Sequence, residues 1–141
     1  MIWKLAAEEK LSQYPAQVAA VQNLQAQLKL LESRTGGLHS PQYDRPVVST
    51  SHGRTEDALL EQLVKKQEME WSLAQAQTWV EVTQRALDTL TAEDRQVLQT
   101  LYMDPDGGVE ALCSRMNKDR TTAYRHRERA LRKFTMALYG S

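Results

Sequence analysis

The run from Val109 to Phe134 constrains the fold most, because it fixes a helix, a tight turn and a second helix within one short stretch. Val109, Leu112 and Met116 recur at helical spacing and form one apolar stripe. Asn117 follows, a residue type that tolerates the left-handed backbone a tight inter-helix turn needs. Asp119 stands where an N-cap belongs, its carboxylate placed to accept from amides two or three residues on. From Arg120, the positions Ala123, Ala130, Leu131, Phe134 and Leu138 line the inner face of a longer helix. This layout predicts a helix-turn-helix whose second helix begins at Arg120.

The whole chain is neutral, with 18 Lys/Arg against 18 Asp/Glu. Between Cys113 and Phe134, however, eight Lys/Arg face only Asp119 and Glu128, so this segment carries +6 and the remainder −6. A basic helix in an otherwise acidic molecule suits phosphate-backbone binding, where each neutralised phosphate releases counterions. At about 100° per residue, Thr121, Arg125, Glu128 and Arg132 lie opposite Ala123, Ala130 and Phe134, flanked by Tyr124 and Arg129. Thr121, Tyr124 and Arg125 are therefore expected to reach base edges of double-stranded DNA, with Arg125 able to pair with guanine. Lys118, Arg120, Arg129 and Arg132 are expected to hold the phosphate backbone. Arg127 falls at the edge of the core stripe, where it snorkels or pairs with a carboxylate such as Glu110. Glu128 is expected either to accept from cytosine or to pair with Arg125 or Arg132 at helical spacing.

Upstream the pattern is helical too, and the expected fold class is all-α: a long N-terminal helical hairpin followed by a three-helix unit. Residues 2 to 13 read as helix, which Pro15 should end or kink near Tyr14. Val21, Leu24, Leu28 and Leu31 step 3, 4, 3, a short coiled-coil-like seam that needs a partner in the chain or on a second copy. Arg34 to Gly37 carries a C-cap signal. Residues 35–54 hold two prolines and several Ser/Thr without periodicity, which predicts a loop or linker. Within it, Val47-Val48 is the only hint of a strand. Thr55 opens the next helix, which meets no breaker before Thr91. Its apolar positions Leu60, Leu63, Val64, Trp71, Ala74, Val82, Leu87 and Leu90 mix with Gln67, Gln75 and Gln77 in an imperfect seam, with Trp71 and Trp79 as core or interface anchors. Thr91-Ala-Glu-Asp94 is a capping-box variant that starts a helix with Val97, Leu98, Leu101 and Tyr102 inward. Asp104 to Gly108 is a turn. The expected division is 1–90 for the hairpin and 91–141 for the helix-turn-helix domain.

From Leu90-Thr-Ala-Glu-Asp-Arg-Gln-Val-Leu, through Val109 to Met116, to Asp119-Arg-Thr-Thr-Ala-Tyr-Arg-His-Arg-Glu-Arg-Ala-Leu-Arg-Lys-Phe134, the sequence resembles the −35-reading domain of sigma factors, the region-four helix-turn-helix. The chain as a whole resembles small phage-encoded transcriptional regulators of the ArpU/RinA type. The sigma resemblance implies that Arg120, Thr121, Tyr124 and Arg125 contact DNA. Two positions depart from the sigma pattern: Lys118 stands where an apolar turn residue is usual, and Asp119 replaces a Ser/Thr cap. No counterpart of the sigma domain that melts the −10 element is visible, so a complete sigma factor is not expected.

Other classes find little in the residues. Cys113 is the single cysteine, so there is no disulfide framework or thiolate zinc site, and it reads as a small buried hydrophobe. His39, His52 and His126 share no metal-ligand spacing. Without a glycine-rich phosphate loop or a nucleophile–base pair, no enzyme activity and no cofactor are expected. No long apolar run or signal-peptide pattern is present, which points to a cytoplasmic protein away from membranes. The expected function is a sequence-specific DNA-binding transcription regulator. The alternative is a protein that docks on RNA polymerase or a phage DNA-packaging subunit through its N-terminal helices. A homodimer through those helices is a further candidate.

Overall fold

In the computed structural model, residues 2–39 and 52–140 are described. They form five α-helices and no strand: α1 (Ile2–His39), α2 (His52–Asp88), α3 (Ala92–Leu98), α4 (Val109–Met116) and α5 (Arg120–Tyr139). A π-helical turn, Gln99–Met103, continues α3. The fold is all-α, and no described helix is long and apolar enough to cross a membrane. Val47-Val48 and residues 40–51 of the expected 35–54 loop lie outside the described residues.

Three helix ends differ from expectation. Pro15 does not end α1, which runs through it. A proline inside a helix removes one hydrogen bond and crowds the preceding turn, yet the side chains around it hold the helix in place. Leu11 is fully buried, and the Tyr14 hydroxyl donates to Gln84 Oε1 at 2.6 Å. Nor does Gly36-Gly37 stop the helix, which reaches His39. Glycine permits a left-handed cap without requiring one. At the other side α2 starts at His52 rather than Thr55.

The chain divides into two compact units, and not at the expected position between 90 and 91. One unit joins the residues up to Val18 with Thr78 onward; the other is Ala19–Gln77. In the first, Ala7 and Leu11 of α1 pack with Ala86, Leu87 and Leu90, with Leu98, and with Ala130, Leu131 and Phe134 of α5. Phe134, Leu131, Leu98, Leu87 and Leu11 are fully buried, so this apolar cluster is the main core of the unit. A smaller cluster of Val97, Leu112 and Ala123, closed by Leu101, Cys113 and Met116, ties α3, α4 and α5 together. The inward residues read from the sequence of α3 to α5, Val109 apart, are thus among those that pack.

In the second unit, Leu28 is buried, and Val21, Leu24 and Leu31 are half-buried, as their spacing suggests. Within this unit the less exposed face of α2 leaves out most of its bulky apolar residues. Leu59, Gln62, Lys66, Met69, Leu73 and Ala76 are its less exposed positions, and they step 3, 4, 3, 4, 3. Lys66 lies 3.9 Å from both Glu32 and Glu70, its stem covering apolar surface while its head stays wet. Leu60, Leu63, Val64 and Trp71 lie on the opposite side and are exposed, Trp71 at 67%. Both faces of α2 carry a helical repeat, and the bulkier one is the more exposed.

Pro15→Ala restores the missing amide in the middle of α1. We expect it to stabilise the chain by about 1–3 kcal/mol, measured by urea denaturation followed by circular dichroism. A loss of stability would show that α1 depends on the proline.

Candidate nucleic-acid interface

The turn between α4 and α5 forms as its residues dictate. Asn117 caps α4 in the left-handed conformation (φ 56°, ψ 47°), and it is the one described non-glycine residue with positive φ. Asp119 is extended (φ −79°, ψ 168°) and its carboxylate accepts from the Thr122 amide at 3.0 Å. Ahead of α4, the turn Asp104–Gly108 folds back on the π-helical turn, where the Gly108 amide donates to the Thr100 carbonyl at 3.1 Å. A Cβ at Gly107 would lie 1.8 Å from that carbonyl oxygen, so the close approach demands glycine there.

On α5, Arg120, Thr121, Tyr124, Arg125, Arg129 and Arg132 are exposed together along one side. Ala123, Ala130, Leu131 and Phe134 are buried on the other. The basic residues fall into two groups. Arg115 pairs with Asp104 at 2.7 Å, Arg120 with Glu110 at 3.5 Å, and Lys133 with Asp94 at 3.0 Å. Arg125, Arg129 and Arg132 make no side-chain ion pair among the described residues.

Three expected contacts resolve differently. Glu110 pairs with Arg120 rather than Arg127. Arg127 pairs with Glu128 at 3.2 Å and lies over the Tyr124 ring at 4.9 Å, an arrangement that fixes the tyrosine from behind. Glu128 takes no arginine at helical spacing; its other partner is Lys4 of α1. Lys118, expected on phosphate, points inward. Its ammonium donates to Glu93 Oε1 at 2.9 Å and to His126 Nδ1 at 2.6 Å.

Behind the exposed face lies a polar cluster absent from the expected site. His126 and Asp94 are 3% and 5% exposed, and His126 Nε2 meets Asp94 Oδ1 at 2.7 Å. The other Asp94 oxygen accepts from Lys133. Thr91 caps α3 by accepting from the Asp94 amide at 3.2 Å. In a full capping box the fourth residue's carboxylate would reach back to the cap, but Asp94 spends its oxygens on α5. One signal was available: His126 sits three residues after Ala123 and four before Ala130, on the inner stripe. Tyr102 donates to Glu8 Oε2 at 3.1 Å.

Residues 37–135 match the family described as Protein of unknown function (DUF1492). The chain belongs to that family. The stretch shared with DUF1492 contains every candidate site residue from Lys118 to Arg132, and Glu93 and Asp94 as well. Lys4, Glu8 and Leu11 lie outside it. No curated protein and no solved structure matches the chain.

The electrostatics predict two limbs of pH-dependent stability. Burial pushes the Asp94 carboxyl up, but the hydrogen bonds from Lys133 and His126 outweigh it and hold the group below the usual carboxylate range. Hydrogen bonds from Thr122 lower Asp119, and the Lys4 ammonium lowers Glu128. A carboxylate depressed by folding contributes stability above its unfolded pKa, and that stability is lost as pH falls through the folded value. The carboxylate contribution should therefore fade below about pH 4, with a shallower acid limb for Asp94→Asn in thermal melts. Burial, reinforced by Glu8, pushes the Tyr102 phenol up. Its contribution should disappear as pH rises beyond about 10, and Tyr102→Phe should flatten that limb.

Proposed function

We propose that the chain is a sequence-specific DNA-binding transcription regulator of the phage or prophage type, related in its reading unit to sigma region four. The observation that carries this reading is the exposed side of α5. There Arg125, Arg129 and Arg132 are exposed and make no side-chain ion pair among the described residues, beyond a capped helix N-terminus. Three unpaired guanidiniums on one helix face form a positive surface matched to phosphates and guanine edges. In this reading α5 lies in the major groove, Thr121, Tyr124 and Arg125 meet base edges, and Arg120, Arg129 and Arg132 hold the backbone. Arg127, stacked on Tyr124, limits the tyrosine's rotamers before DNA arrives. No catalysis, metal or cofactor enters this function.

Arg125→Ala tests the assignment. After a duplex is selected from a random pool, fluorescence anisotropy should show a loss of about 1–3 kcal/mol on that site, with relaxed preference at one base pair. Arg132→Ala should weaken all duplexes alike and reduce the salt slope by about one. Unchanged selected-site affinity in Arg125→Ala would remove that residue from the reading set.

A second reading rests on the exposed apolar side of α2. Leu60, Leu63, Val64 and Trp71 share one helical face and are all exposed, and such a patch marks a protein contact. We propose that a second copy covers it, giving a dimeric DNA reader. RNA polymerase and a phage DNA-packaging subunit are the alternative partners for the same surface. Sedimentation equilibrium of the full chain should give a dimer that Trp71→Glu dissociates. A monomer at all concentrations would point to one of the other partners.

A further inference from the structure

A lysine at the tip of a DNA-binding turn is expected to face phosphate, yet Lys118 is only 20% exposed and is held from within. Its partners dictate the state of the ring beneath it. An ammonium carries three donors and no acceptor. His126 Nδ1, 2.6 Å from the Lys118 nitrogen, therefore accepts. His126 Nε2, 2.7 Å from Asp94 Oδ1, donates to the carboxylate. An imidazole that accepts at one nitrogen and donates at the other is neutral. The local charges already balance without a proton on the ring: Glu93 and Asp94 of α3 face Lys118 of the turn and Lys133 of α5. Charged side chains of α4 are engaged elsewhere, Glu110 on Arg120 and Arg115 on Asp104.

A proton taken from solvent onto Nδ1 changes this arrangement. The acceptor becomes a donor and places a second positive charge against the Lys118 ammonium, so that hydrogen bond cannot persist. Glu93 Oε1 lies 3.9 Å from Nδ1 and is placed to receive the new N–H. We propose that His126 is a positioning residue. While neutral it holds Lys118 off the exposed face of the motif; once protonated it takes Glu93 for itself and releases Lys118 to the surface. The freed ammonium then joins Arg120, Arg125, Arg129 and Arg132, and the motif gains a phosphate contact in acid. That last consequence rests on the DNA-binding reading; the latch itself does not.

The test uses the full-length protein and separates the two. Nitrogen-15 NMR of the imidazole at neutral pH should show the Nε2–H tautomer for His126. As pH falls, protonation of the ring should move the Lys118 side-chain signals over the same range. His126→Gln keeps one acceptor and one donor but cannot titrate, so Lys118 should stay held and insensitive to pH. An Nδ1–H tautomer, or Lys118 signals that ignore the ring's titration, would overturn the latch. Duplex binding forms the second arm: acidification should steepen the salt slope by about one in the parent protein and not in His126→Gln. A latch seen by NMR with an unchanged slope would stand, and would count against the DNA reading instead.

Discussion

The helix-turn-helix unit depends on one buried carboxylate. Asp94 is 5% exposed and is reached from α5 at two points a little under two turns apart, His126 and Lys133. A carboxylate removed from water is costly unless its oxygens are occupied by good donors, and here each oxygen has one. The consequence is geometric. Apolar packing of Val97, Leu112 and Ala123 tolerates sliding, whereas two directed hydrogen bonds from one helix set its rotation and register against α3. That rotation decides which side chains of α5 face outward, and so the polar contact at the back defines the surface at the front.

The same economy appears at the start of α5. Asn117 adopts a backbone that most residues resist, and Asp119 closes the amides that follow. Lys118 between them is pulled under by Glu93 and His126. The turn is thus shaped by its own dihedrals and anchored to α3 by a side chain. On the far flank, Lys4, Glu128, Arg127 and Tyr124 form a relay of contacts from α1 to the exposed face. Partly exposed ion pairs of this kind contribute little stability each; their effect is to restrict where the arginine and tyrosine can point.

Much of this was legible in the residues. The left-handed Asn117, the Asp119 cap and the inward stripe from Ala123 to Phe134 follow from local rules, because each depends on neighbours three or four positions away. Contacts between distant segments were not legible. Nothing near Asp94 announces that its partners lie 32 and 39 residues on, and a histidine on an apolar stripe has no unique mate. On α2 the reason is different. Two faces share the helical period, and the bulkier one, with Trp71, is outward, while Gln62 and Lys66 sit on the less exposed side. Pro15 does not end α1 because propensity is a weak term beside tertiary packing, here of Leu11 and Tyr14 in the preceding turn.

The way the first unit is assembled has a consequence for how it comes into being. Ala7 and Leu11 share a core with Leu87, Leu131 and Phe134, so one core joins residues more than a hundred positions apart in sequence. These contacts span a large sequence separation, and the loop-closure entropy must be met before they reward it. During synthesis the apolar face of early α1 emerges long before α5 exists to cover it. Over that interval it is a sticky amphipathic helix without its partner, the kind of transient surface that chaperones hold. Helix α5 therefore acts as a clasp, and the first turns of α1 are fully covered only once α5 has been made.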